Sequence, residues 1–275
     1  MSHPLLARLR SADAGERRAA CREAPDDPSA VLLVDALCLA LADPAKEVAR
    51  EASDALVRVG RRDAAVVPAL VAVLRGTDLR ARLFAAWAIA RLEPPPLKLL
   101  PALVDALALA DGDLRFTAAR LIVELGRLQP DVLPLLLSLV AGEEKPASRR
   151  MAVFALRELA PDAPETATAL LAASRSGDPA LRRAALASLA ALREPPPEVI
   201  ARLCEALTAE GDPSAQALAA AALGELAAAH PERIPARARE ALAARARSGP
   251  APVREAAERA LRRLAGPAPE RGLSS

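Results

Sequence analysis

The chain has 275 residues, 52% of them apolar, and a formal net charge of +2. That length can bury a sizeable core in one or two domains, and so small a charge argues against nucleic acid as the main partner. Cys21, Cys38 and Cys204 have no regular spacing, which excludes a disulfide framework and a zinc signature and makes a reducing cytoplasm, with no cofactor or metal, the expected setting.

Alanine and leucine dominate, tyrosine is absent, and the aromatic residues are Phe84, Trp87, Phe116 and Phe154 alone. A core of small and straight-chain residues calls for closely packed helices, so the expected fold is all-α.

In chain order, "MSHPLLARLRSADAGERR" lacks the apolar stretch and small-residue cleavage site of a secretory signal. Residues 1–28 include a short unit, "ADAGERRAACREAP" from Ala12, which reads as a partial N-terminal cap. "AVLLVDALCLALA" from Ala30 is too short for a bilayer span and is interrupted by Asp35, so no membrane segment is expected.

From there the chain repeats. Seven segments align, beginning at Val48, Ala81, Leu114, Ser148, Leu181, Ala215 and Val253 and running from "VAREASDALVRV" to "VREAAERALRRL". Their fifth residue is always alanine, at steps of 33, 33, 34, 33, 34 and 38 residues from Ala52 to Ala257. Small or apolar residues at the first, fifth, eighth, ninth and twelfth positions form one helical stripe. Alanine in the fifth column allows a neighbouring helix to come close.

Between these segments lie second apolar helices, such as "AAVVPALVAVL" from Ala64 and "PEVIARLCEALTA" from Pro197. Two helices per unit of this length stack as a helical repeat. Asp43-Pro44, Asp178-Pro179 and Asp212-Pro213 read as a capping carboxylate followed by a first-turn proline. "EPPP" at Glu93 and again at Glu194 reads as punctuation between units, with a polyproline ligand as the alternative. The tail from Gly266 is expected to be disordered.

These residues resemble the HEAT-repeat family, whose second helix commonly reads Asp-Pro, then Val-Arg, then alanines and leucine. The resemblance covers residues 29–265 and implies a single right-handed α-solenoid of about seven two-helix repeats, preceded by the capping unit. Arg82, Arg115, Arg149, Arg182 and Arg254 match the family's arginine column, from which Ala49 and Gln216 depart. It implies that these arginines form a ladder between repeats with Asp78, Asp111, Asp178 and Asp212. It also implies a concave surface lined by the exposed face of the second helices.

At about 100° per residue from the arginine column, the core columns centre near roughly 290°. Positions one, four, five, eight and nine places after the arginine therefore face the other way. They hold Leu83, Trp87 and Arg91 in the second repeat; Phe116, Arg120, Val123 and Glu124 in the third; Arg150, Val153, Phe154, Arg157 and Glu158 in the fourth; and Arg183 and Leu186 in the fifth. Aromatic and aliphatic side chains rimmed by arginine suit a protein or peptide partner, with packing of the rings against neighbouring helices as the alternative.

Glu232 to Arg263 carries nine arginines against four glutamates. This basic end reads as a solvated cap, with phosphate or nucleic-acid binding as the alternative. Enzyme readings have little support. His3 and His230 are too few for the paired His-Glu iron site of deoxyhypusine hydroxylase, and neither serves a serine or cysteine nucleophile. Glu143-Glu144 reads as a solvated loop pair. Trp87 and Phe116 with Arg120 and Arg150 imitate, in outline only, the surface of HEAT-like alkylpurine DNA glycosylases; HEAT-related bilin lyases are a further alternative. The expected function is a non-catalytic protein-interaction scaffold.

Overall fold

A computed structural model describes residues 3–143, 145–209 and 211–265. The tail expected to be disordered and Glu144 lie outside the described residues. Among the described residues there are sixteen α-helices and no strand. The chain divides into two compact units, Met1–Val132 and Leu133–Ser275.

In the first unit α1 (Pro4–Leu9) and α2 (Ala14–Glu23) form the capping pair. Three full pairs follow: α3 (Val34–Ala40) with α4 (Lys46–Gly60), α5 (Val66–Leu74) with α6 (Leu79–Leu92), and α7 (Leu100–Ala106) with α8 (Gly112–Gly126). The second unit holds α9 (Val132–Ala141), α10 (Pro146–Leu159), α11 (Pro164–Ala173), α12 (Pro179–Leu189), α13 (Pro197–Ala209), α14 (Pro213–Ala229), α15 (Ala236–Ser248) and α16 (Ala251–Leu264). Within the first unit α2, α4, α6 and α8 pack on one another in succession, and each also packs on the first helix of its pair. Helices α10, α12, α14 and α16 form the corresponding row in the second.

The fifth-column alanines hold these rows together. Ala52, Ala85, Ala118, Ala152, Ala185, Ala219 and Ala257 are all 0% exposed. A methyl group at that position lets the next helix close in, and the ninth-column Leu56, Ile89, Ile122, Leu156, Leu189 and Leu223 fill the space toward the paired helix, all buried.

Helix starts follow the expected chemistry at two of the three Asp-Pro positions, and also at Asp78, and depart from it at the third. Asp78 accepts from Ala81 N at 2.7 Å, Asp178 from Ala180 N at 2.9 Å and Asp212 from Ser214 N at 2.9 Å. Asp43 does not cap a helix: α4 starts at Lys46, and Asp43 accepts from Ala45 N at 2.9 Å while pairing with Arg17. Helix α12 ends at Leu189, three residues before the twelfth-column Leu192. Pro197 then opens α13, whereas the earlier proline string leads into a 3-10 turn, Leu97–Leu99, ahead of α7.

The arginine column is structural but is not the expected Asp–Arg ladder. Arg115 donates to the carbonyls of Leu109 at 2.6 Å and Ala110 at 2.7 Å, Arg149 to Val140 O at 2.9 Å, and Arg182 to Ser176 O at 2.8 Å. Each guanidinium thus satisfies carbonyls in the last turn of its own repeat's first helix, as at Val140, or in the connection just after it, as at Leu109, Ala110 and Ser176. Rungs between repeats occur at Arg82, 2.7 Å from Asp105, and at Arg17, whose Nε lies 2.6 Å from Asp43. Asp78, Asp111, Asp178 and Asp212 accept from backbone N–H groups at helix starts, and Lys46 reaches Asp111 and Arg183 reaches Asp212, neither of which cations belongs to the column.

Burial dominates the chemistry of Cys21. Its thiol is pushed up to about 12 by desolvation, with Glu51 and Asp43 adding to the shift, and the side chain is fully buried. Cys38, half-buried, is pushed up to about 11 by burial and then by Asp35. Because the thiolate is the reactive form, maleimide labelling of the native chain followed by mass spectrometry should modify Cys38 and Cys204 slowly and leave Cys21 untouched until denaturant is added. Equal rates at all three would contradict this packing.

Candidate functional site

In the first unit the exposed strip of the second-helix row is narrow. Helix α6 packs against α4, α5, α7 and α8, so its apolar arc extends most of the way round. Trp87 emerges half-buried and Arg91 exposed. One turn separates them, and the Arg91 guanidinium carbon lies 5.2 Å from the Trp87 ring centroid. Arg91 also donates to Glu124 on α8 at 3.0 Å. On α8, Phe116 is 44% exposed, and Arg120, one turn on, is exposed with no charged partner among the described residues.

The second unit repeats the device once. On α10 the Arg157 guanidinium carbon lies 5.3 Å from the Phe154 ring, and Arg157 also donates to Glu158 at 2.8 Å. Phe154, Arg150 and Arg157 are half-buried. On α12, Arg183 is held by Asp212 at 2.7 Å.

Four residues expected on the exposed face are not on it. Leu83 is 0% exposed, Val123 5% and Val153 1%; Leu186, in the same column as Val153, is buried as well. The helical wheel placed them opposite the paired first helix, which is correct for one neighbour. A helix inside a row also has second helices on its flanks, and these cover position four in Ser53, Val153 and Leu186, position one in Leu83 and position eight in Val123, while Phe116 and the arginines at those last two positions keep some of their surface.

The same columns in the first repeat hold residues that were not singled out: Arg50, Ser53 and Asp54, with Asp54 in the column of Trp87. The register that located Trp87 would have located Asp54. A pocket of ≈ 260 Å³ opens here, lined by Ser53 and Asp54 of α4, Phe84 and Trp87 of α6, and Leu114 and Thr117 of α8, together with exposed Arg50. Ser53 Oγ donates to Phe84 O at 2.9 Å and ties α4 to α6. Lys46 Nζ reaches Asp111 at 2.9 Å and Asp113 at 3.0 Å, bridging from the start of α4 to the start of α8. This contact holds Lys46 above and Asp111 below their ordinary ranges.

Asp54 differs from its neighbours. Burial holds its carboxyl above the usual range, Glu51 adds to the shift, and Arg50 offsets part of it. It makes no hydrogen bond or ion pair among the described residues, whereas Glu51 is met by Arg22 at 3.1 Å and Arg18 at 3.4 Å.

The basic end is partly spent on structure. Arg245 donates to Leu207 O at 3.0 Å and Thr208 O at 2.6 Å, closing the end of α13, and Arg263 pairs with Glu225 at 2.5 Å. Arg237, Arg239, Arg254, Arg259 and Arg262 are exposed. His3 meets Asp27 at 3.2 Å and His230 lies 3.9 Å from Glu232. Among the described residues no group of three or more His, Cys, Asp or Glu side chains is placed to hold a metal ion, and no helix is long and apolar enough to cross a membrane.

A family model for HEAT repeats matches residues 100–190 and 166–262, more than half of the chain. No curated protein sequence matches. Among solved structures, importin beta is 15% identical with a TM-score of 0.63, over 95% of this chain and 40% of its own, so this chain spans well under half of that protein. An engineered protein is 23% identical (TM-score 0.48, 95% of this chain, 77% of that one). Human deoxyhypusine hydroxylase is 22% identical (TM-score 0.40, 95% and 94%). At such identities the likeness to importin beta concerns the fold, a solenoid of stacked helix pairs.

Proposed function

Because this chain belongs to the HEAT-repeat family, we propose that it is a non-catalytic scaffold that holds a partner protein or peptide against the exposed strip of its second helices. One observation carries the reading. In a chain with only four aromatic residues, Phe116 stands exposed one turn from Arg120, which has no charged partner among the described residues, and Trp87 reaches the same row with Arg91 stacked on it. Aromatic and arginine side chains together are what binding hot spots are made of. The fitting partner is an amphipathic segment with apolar anchors and acidic residues for Arg91 and Arg120. Phe154 and Arg157, with Arg150 nearby on α10, give the second unit a patch of the same kind.

The domain assignment we propose is residues 29–265 as the repeat domain, with 1–28 as its cap. Three free cysteines are consistent with work in a reducing cytoplasm. The test is affinity capture with cross-linking by the full chain, compared with a Phe116→Ala, Arg120→Ala variant. Both side chains are exposed, so helical circular dichroism should be unchanged while capture of the cross-linked partner falls at least tenfold, about 1.4 kcal/mol or more. Undiminished capture would remove this face from the interface.

A further inference from the structure

We propose that the pocket between α4, α6 and α8 receives a lysine side chain of the bound partner, its ammonium group set against the Asp54 carboxylate and its stem along the Trp87 and Phe84 side chains. This rests on the partner-binding reading and gives that partner one required residue.

The first argument is the charge inventory of the first unit. Asp43 is met by Arg17, Glu51 by Arg18 and Arg22, and Asp111 by Lys46. Asp54 is as enclosed as several of these and has no such partner among the described residues. A half-buried carboxylate that no hydrogen bond or ion pair meets, its charge offset only in part by Arg50, raises the free energy of the folded chain, and burial accordingly pushes its proton affinity up. A cation arriving from outside removes that cost, so the site favours binding before any other contact is made.

The second argument is shape and wall chemistry. At ≈ 260 Å³ the pocket is smaller than the roughly 300–1,000 Å³ of sites for drug-sized ligands, and it suits a single long side chain. Phe84, Trp87 and Leu114 offer apolar surface to a four-carbon stem. Lysine fits better than arginine because one carboxylate in a narrow recess meets a compact point charge, whereas a guanidinium fork needs a wider planar partner. Arg50 also lines the pocket, but it is exposed and forms no ion pair with Asp54. Its exposed charge is partly screened by water, and it offsets only part of the effect of burial on the Asp54 carboxyl.

Trp87 is the only tryptophan of the chain, so intrinsic fluorescence reads this pocket directly. Nα-acetyl-lysine methylamide titrated into the full chain at neutral pH should give a saturable fluorescence change with a Kd on the millimolar scale, about the weakest range worth measuring for one side chain. Nα-acetyl-norleucine methylamide, which keeps the stem and lacks the charge, should give none. Asp54→Asn removes a half-buried charge and is expected to fold; the lysine probe should bind it at least tenfold more weakly. A lysine response unchanged in Asp54→Asn, or one matched by the norleucine probe, overturns the proposal. If the probe fails while the chain still captures its partner through Phe116 and Arg120, the pocket alone is wrong; if the probe binds as expected and capture is indifferent to Phe116 and Arg120, the scaffold face alone is wrong.

Discussion

Replacing Gly224 with leucine is expected to destabilise the second unit by roughly 3 kcal/mol, the upper end of what overpacking costs. Gly224 lies inside α14, where glycine costs about 0.5–1 kcal/mol relative to alanine. Its presence is explained by α16: a Cβ at this position would lie 2.9 Å from both Cα and Cβ of Ala260. The obstacle is backbone, so no rotamer change relieves it and the helices must separate. Separation would then strip contacts from Ala219, Leu223, Ala256 and Ala257, all buried around that approach. Gly177 is the control, since a Cβ there meets nothing within 4 Å, and Gly177→Ala should stay within about 1 kcal/mol of the parent. Urea denaturation followed by circular dichroism separates the two. Equal midpoints for both variants would show that α14 and α16 do not meet as closely as described.

Acid should act on the first unit through Asp43. Its side chain is only 7% exposed and that of Arg17 14%, with contacts at 2.6 Å and 2.9 Å. Burial alone would raise the carboxyl, but Arg17 and the Ala45 N–H together outweigh it and hold the group below its ordinary range. A carboxylate depressed in the folded state binds its proton more readily when unfolded. Its contribution is therefore present above the unfolded value near 3.9 and is lost as pH falls through the lower folded value. Asp43→Asn should lower Tm at neutral pH by about 5 °C, because Arg17 is then left facing an amide. The gap between variant and parent should narrow as pH falls below about 4. A Tm difference that is constant from neutral to acid pH would mean that the pair contributes nothing through its charge.

Much of the architecture was legible in the chain. The alanine column located every second helix, because only a methyl group permits the approach that stacking requires, and all seven of those alanines are fully buried. Asp-Pro signals located two helix starts. They failed at Asp43, where the carboxylate had a stronger claimant in Arg17, a residue contributed by the capping pair 26 positions earlier. No local pattern announces such a partner. The arginine column was recognised as structural, yet its acceptors are mostly carbonyls at or just past helix ends, which carry no sequence signature at all.

The candidate surface was legible only in part. Trp87, Arg91, Phe116 and Arg120 in the first unit, and Arg150, Phe154 and Arg157 in the second, keep some or most of their surface in solvent, while Leu83, Val123 and Val153 are lost to packing. A wheel drawn for one helix knows the direction of a single neighbour, and the stacked rows supply two more. Asp54 lay in the right column from the start, but a carboxylate on an apparently exposed stripe reads as solvated until the walls on either side are in place.

Periodicity, small-residue columns and capping residues thus determined the helix pairs by themselves, since each depends on forces that act within a few turns. Which flanks of those helices are covered, what each arginine grips, and that Asp54 shares a recess with Trp87 were decided by the tertiary structure. Those properties depend on residues about one repeat apart or more, brought together only when the pairs stack.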